Sequence, residues 1–219
     1  MNKNWCDKNK ITIQELDSLK TILSFLSQNP EELGWRGKNR PDPSDENDHE
    51  LIGAKYLKSI RKDIEPKSPT TVPDLMVSEL LAICFKYPRE RLDRIKIEHQ
   101  HAMAAENMVG ALLEKYIDSV ARDYGWAHCS GAIVKKVDFI KKDNGVWRLL
   151  QIKNRDNSEN SSSSAIRNGT TIEKWFRTFS RTGLTNWENF PDKQLKQNLS
   201  EQGFYLFVRK TYGSLKSKE

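Results

Sequence analysis

The tripeptide Asp143-Asn144-Gly145 restricts the possible folds of this chain more than any other feature. It separates two runs, residues 132–140 and 146–153, that are rich in Val, Ile, Leu, Phe and Trp. An Asn-Gly pair accepts the positive φ values of a type I′ turn, whose twist matches that of paired strands, so the sequence predicts a β-hairpin. With Asn144 and Gly145 at the tip, Asp143 faces Val146. Counting back along the antiparallel ladder then sets Asp138 opposite Gln151 and Lys136 opposite Lys153. A loop on Asp143-Asn144 would instead set Asp138 opposite Leu149. Alternation gives Val137, Phe139, Leu150 and Ile152 one apolar face and projects Asp138, Gln151 and Lys153 from the other.

The residues before the hairpin read as helical. Thr12 and Glu15 form a capping-box pattern, followed at helical spacing by Leu16, Leu19, Ile22, Leu23 and Leu26 until Pro30. Residues 34–50 are polar and rich in turn formers and read as a loop. Residues 51–64 and 72–87 carry two further helical stripes, separated by Pro66 and Pro69. The longest helical pattern covers residues 100–124 and stops at Gly125. After the hairpin comes a Ser/Asn-rich stretch, residues 154–168. Residues 171–179 and 191–202 then read as short helices and residues 204–208 as a buried strand. The organisation expected is a helical region over residues 1–99 packed on a core over residues 100–219, together one structural domain of α/β class.

With 219 residues the chain is long enough to bury a core without disulfides or a structural metal. Cys6, Cys84 and Cys129 are odd in number and form no CxxC. No apolar run approaches the roughly 18 residues of a membrane span, and the start leads into no signal-peptide core. A cytoplasmic protein without a membrane partner is expected. Lys and Arg number 36 against 30 Asp and Glu, a net charge of +6 that suits a polyanion without identifying one.

The Asp138, Gln151 and Lys153 cluster suits phosphodiester hydrolysis, in which oxygen ligands hold a hard divalent cation, here Mg²⁺, against the scissile phosphate. Asp138 supplies an anionic oxygen, Gln151 a neutral one, and the main-chain oxygen of Ile152 a further one. Lys153 is placed to orient or help deprotonate the attacking water and to balance charge on the phosphorane. Gln in place of an acid invites a second carboxylate. Glu106 is the candidate, because it shares a helical stripe with Met103, Gly110, Leu113 and Ile117. His49, His99, His101 and His128 show no spacing that suggests a metal site or a nucleophilic triad, and no role is assigned to them.

The stretch from Glu106 to Trp187 contains the long helix, a hairpin ending in QIKNRD, the tract NSENSSSSAIRNGT and then EKWFRTFSRTGLTNW. It resembles the SinI/AvaII group of type II restriction endonucleases. The resemblance implies a PD-(D/E)xK nuclease core, a mixed sheet flanked by helices, with its catalytic elements on Asp138 and Gln151-Ile152-Lys153. Gln151 departs from that pattern, which has an acid at its position. The resemblance also implies recognition of the pseudo-palindrome GGWCC, a staggered cut after the first G, and a protecting methyltransferase as partner in the same system.

Such a target needs donors for guanine and acceptors for cytosine. The stretch 154–170 offers Arg155 and Arg167 for the first, Asp156 and Glu159 for the second, and Asn154, Asn157 and Asn168 as amides. Lys136, Lys174 and Arg177 are candidates for phosphate contacts. A two-fold target in double-stranded DNA is most simply met by a homodimer, each subunit cutting one strand. Two other readings fit the same residues: a structure-selective repair or junction nuclease on the same core, and a non-catalytic basic DNA-binding protein.

Overall fold

The computed structural model describes residues 3–67, 70, 72, 74–156 and 172–213. Its elements in chain order are α1 (Lys3–Lys8), α2 (Ile13–Gln28), α3 (His49–Ile60), α4 (Leu75–Phe85) and α5 (Leu92–Ala121), then β1 (Ala127–His128), β2 (Phe139–Asp143), β3 (Val146–Arg155) and β4 (Ile172–Thr178), and last α6 (Lys193–Lys196) and α7 (Glu201–Gly213). The chain divides into two compact units, Met1–Lys62 with Leu113–Glu219, and Asp63–Leu112. The long helix α5 runs through both. Among the described residues no helix is long and apolar enough to cross a membrane.

The larger unit is built on a four-stranded sheet of order β1-β2-β3-β4. The first three strands are mutually antiparallel, and β4 runs parallel to β3. The hairpin is the one expected. Asn144 and Gly145 have φ of 48° and 85°, Asp143 pairs with Val146, and the ladder runs back to Phe139↔Leu150. The alternative with Asp138 opposite Leu149 is thereby excluded.

The expected first strand, residues 132–140, forms only at its end. Ala132 and Lys136 have φ of 51° and 61°, values that interrupt an extended chain. Val134 bridges to Leu33, Gly34 N donates to the Ile133 carbonyl and Lys135 N to the Glu32 carbonyl. Lys136 therefore lies in a turn and does not face Lys153. Val137 packs with Ile140 rather than sharing a face with Phe139.

Helix α2 begins with the expected capping box. Glu15 N donates to Thr12 Oγ1 at 3.2 Å, and Thr12 N donates to Glu15 Oε2 at 2.9 Å. Glu15 also takes both arms of Arg61, which holds its carboxyl down at about 2. Leu19, Ile22 and Leu26 of α2 and Ile52 and Tyr56 of α3 form a core with Ile133, Val134, Val137 and Ile140, against which Trp147, Leu149 and Ile172 pack. A second buried group is aromatic: Trp175 meets Trp187 at 4.9 Å and Phe190 at 5.0 Å, and Tyr116 meets Trp187, Phe204 and Phe207.

Two expected elements are corrected. Residues 171–179 were expected to be helical, but Ile172–Thr178 is a strand. Ile172, Trp175, Phe176 and Phe179 stand at i, i+3, i+4 and i+7, the spacing of a helical stripe, yet β3 offers Leu149 to Lys153 as a parallel edge for pairing. Parallel neighbours cannot be joined by a tight turn, and β4 begins only at Ile172. Residues 204–208 are helical, within α7. Phe204 and Phe207, three apart, both pack on Tyr116, while Tyr205 and Leu206 are exposed.

The smaller unit carries α4, which is capped by Asp74 Oδ1 accepting from Met76 N at 2.8 Å. Arg89 pairs with Glu79, and Arg94 with Glu98.

Asp192 fastens the larger unit. Its Oδ2 accepts from Trp126 Nε1 at 2.9 Å, and its Oδ1 accepts from Gln194 N and Leu195 N at the start of α6. Lys141 of β2 and Arg148 of β3 lie 3.7 Å and 3.5 Å from Oδ2, and Arg148 also grips Glu173 of β4. Substituting Asp192→Ala would bury an unpaired indole N–H and uncap α6. We expect a stability loss of about 2–4 kcal/mol in urea denaturation. A loss under about 1 kcal/mol would show that the network does not fasten the fold.

Candidate functional site

The hairpin ladder changes character one residue before β2. Asp138 N still donates to the Leu150 carbonyl at 2.9 Å, and the Asp138 carbonyl accepts from Cys129 N at 2.7 Å. The next donor across the ladder, Ile152 N, is met by the Asp138 side chain, whose Oδ2 accepts at 2.7 Å. A carboxylate thus takes the place of a main-chain acceptor. The turns at residues 132–136, with positive φ at Ala132 and Lys136, precede Asp138, and the strand begins only after it, at Phe139.

Burial pushes the Asp138 carboxyl up to about 6, and the charge of Glu114 pushes the same way. The Ile152 amide, Lys153 and His128 oppose the rise but do not cancel it. The site is therefore a partly buried acid with a second carboxylate close by and one exposed lysine on the adjoining strand. Gln151 and Lys153 flank buried Ile152 on β3 and share the other face of that strand. In the parallel pairing Gln151 stands beside Lys174 and Lys153 beside Phe176.

Glu114 was not anticipated. It lies on α5 two turns beyond Glu106, and its Oε2 is 3.1 Å from His128 Nε2. Glu106 is exposed and belongs to the part of α5 in the smaller unit. The available signal was a glutamate beside the apolar stripe of Leu113 and Ile117, but Glu106 lies on that stripe and drew the assignment. His128 was given no role because its partner is 14 residues away on another element and forms no ligand motif.

Several expected DNA contacts are engaged within the protein. Arg177 donates from Nε to Asn154 Oδ1 at 2.9 Å, pairs with Glu201 and lies over the Phe204 ring. Glu201 in turn accepts from Trp187 Nε1 at 2.9 Å. Arg177 and Asn154 thus clamp the ends of β3 and β4 together. Asp156 Oδ1 accepts from Ser180 N at 2.7 Å, and the Ser180 hydroxyl, with that amide, lowers its pKa. Arg155, Lys136 and Lys174 are exposed. Asn157, Glu159, Arg167 and Asn168 lie outside the described residues.

Among the described residues, no three of His, Cys, Asp and Glu are arranged to hold a metal ion. The oxygen donors at hand suit a hard divalent cation: an anionic one on Asp138, a second carboxylate on Glu114, and neutral ones on Gln151 and the main chain. A cation would also offset the burial and the Glu114 charge that raise the Asp138 pKa. Thiolate chemistry has no place here, since burial pushes the Cys129 thiol well up.

The family model of the SinI restriction endonuclease matches residues 3–214. Among curated proteins, the chain is 49% identical over 199 residues to the type II restriction enzyme Eco47I of Escherichia coli, covering 89% of this chain and 86% of that protein. It is 46% identical over 195 residues to the type II restriction enzyme SinI of Salmonella infantis, covering 88% and 85%. On a match that spans the sheet, the site and most of the remaining chain, the protein belongs to the SinI restriction endonuclease family.

Proposed function

We propose that this chain is a type II restriction endonuclease that cuts double-stranded DNA at GGWCC, using Mg²⁺ and a PD-(D/E)xK active site on Asp138, Gln151 and Lys153. The observation that carries the reading is the hairpin itself. It holds a partly buried carboxylate against the strand that bears Gln151 and Lys153, with Glu114 acting on the same carboxylate. The family match and the two relatives named as type II restriction enzymes support the activity.

In this reading Asp138, Gln151 and the main-chain oxygen of Ile152 hold the cation, with Glu114 supplying the negative charge that Gln151 lacks. A Mg²⁺ ion held by these residues would supply polarisation of the scissile phosphate and of a water. Asp138 is kept in place by the Ile152 amide, so it need not be ordered when DNA arrives. Lys153 projects from the same strand, where its ammonium orients the attacking water and offsets charge that develops on the phosphate. Arg155 at the end of β3 and the stretch that follows it are the proposed base readers, and Lys136 and Lys174 the proposed phosphate contacts. Because β3 carries both Lys153 and Arg155, base reading and cutting share one rigid element. The enzyme acts as a homodimer on its two-fold site, in the cytoplasm, beside a methyltransferase that protects the host DNA.

Incubation with unmethylated plasmid and Mg²⁺ is expected to give discrete fragments that map to GGWCC and vanish with EDTA. Asp138→Ala and Lys153→Ala should each cut slower by on the order of 10²–10³-fold. Intact linear DNA at every divalent-metal concentration would overturn the reading.

The raised Asp138 pKa gives a second test, in metal-free protein. The folded value is about 6 against 3.8 for an ordinary aspartate, so folding favours the protonated acid. The contribution of this group to stability is fully present below pH 3.8 and is lost as pH rises through about 6. Asp138→Asn, which still offers an acceptor to Ile152 N, should match the wild type near pH 4. Above pH 7 it should be more stable by about 1–3 kcal/mol. Thermal melts in EDTA across this range check it, and a difference independent of pH would contradict it.

A further inference from the structure

The mechanism above makes no use of His128, yet this side chain is held on every side. It is 3% exposed, its ring stacks on Phe139 with centroids 4.8 Å apart and planes 18° apart, and its Nε2 lies 3.1 Å from Glu114 Oε2. Its Nδ1 is buried and has no hydrogen-bond partner. That asymmetry fixes the tautomer. A proton on Nδ1 would bury an unpaired donor and set two acceptors, Nε2 and Oε2, against each other. A proton on Nε2 satisfies the carboxylate and leaves only a lone pair unmet.

The Glu114 side chain is about one third exposed and needs a partner to keep a single rotamer. The imidazole is that partner, and it is itself immobile, since β1 and the Phe139 ring hold it. The bond to Nε2 thus holds the carboxylate whose charge acts on Asp138.

We propose that His128 is a positioning residue. By donating Nε2–H to Glu114 Oε2, it fixes the second carboxylate beside Asp138 and so sets the affinity of the site for a divalent cation. The proposal rests on the nuclease reading above, because it needs a cation at Asp138.

The test uses the full chain with Mn²⁺ as probe. Mn²⁺ binding is followed by electron paramagnetic resonance without DNA, and cleavage is followed against Mg²⁺ concentration. His128→Phe keeps the stacked ring and removes the donor. His128→Asn places its amide near Nδ1, short of Glu114, whereas His128→Gln restores a donor at the Nε2 position. Melting curves establish which variants fold, and the Asn and Gln pair decides the matter if Phe does not fold. We expect Phe and Asn to weaken Mn²⁺ binding about 10–100-fold and to move half-maximal cleavage to higher Mg²⁺ by a similar factor. Rates at saturating Mg²⁺ should stay near wild type, and Gln should recover most of the affinity. If Phe and Asn bind Mn²⁺ as the wild type does, or if folded Gln is as impaired as Asn, the positioning role is wrong while the nuclease reading stands. A wild type that neither binds Mn²⁺ nor cuts DNA would remove both.

Discussion

The hydrogen bond from Ile152 N to Asp138 Oδ2 is the contact on which the account depends. A strand amide in a ladder needs an acceptor, and leaving it buried and unmet is costly. Here the acceptor is a carboxylate, so the demand of the sheet for a partner becomes the force that places the acid. The main chain of Asp138 is tied on both sides as well, to Leu150 and to Cys129. The site is thus an extension of sheet pairing, and its geometry is as rigid as the hairpin that carries it.

This placement has an electrostatic consequence. Burial and Glu114 both disfavour the charged form of Asp138, and Lys153, exposed on the next strand, offsets them only in part. The metal-free protein holds an acid that is poorly compensated by its own side chains. A compact positive charge would offset that burial and repulsion, which fits the proposed cation site. Elsewhere in the same unit the sheet is tied by the clamp of Arg177 on Asn154 and Glu201 and by the network around Asp192.

Local chemistry made the hairpin legible: Asn144 and Gly145 fixed the turn, and the turn fixed the register as far as Phe139 and Leu150, one residue short of Asp138. The capping box of α2 was legible for the same reason. Strand β4 was not, because Ile172, Trp175, Phe176 and Phe179 imitate a helical stripe and only the partner strand reveals their role. In α7, a run of five apolar residues carries no period, and the aromatic ring of Tyr116 shows which side is buried. The contact of Glu114 with His128 was not legible, because its partner lies 14 residues away on another element. Lys136 was misplaced because two residues with positive φ, invisible in composition, end the ladder at Phe139.

The central claim is that the Asp138 carboxylate, held by the Ile152 amide, is where the cation binds. The most direct measurement is a crystal structure soaked with Mn²⁺ and read by anomalous scattering. The account predicts a peak in direct coordination contact with Asp138, about 2.0–2.4 Å from an oxygen of its carboxylate. A peak at another group of residues, with Asp138 uncoordinated, would contradict it.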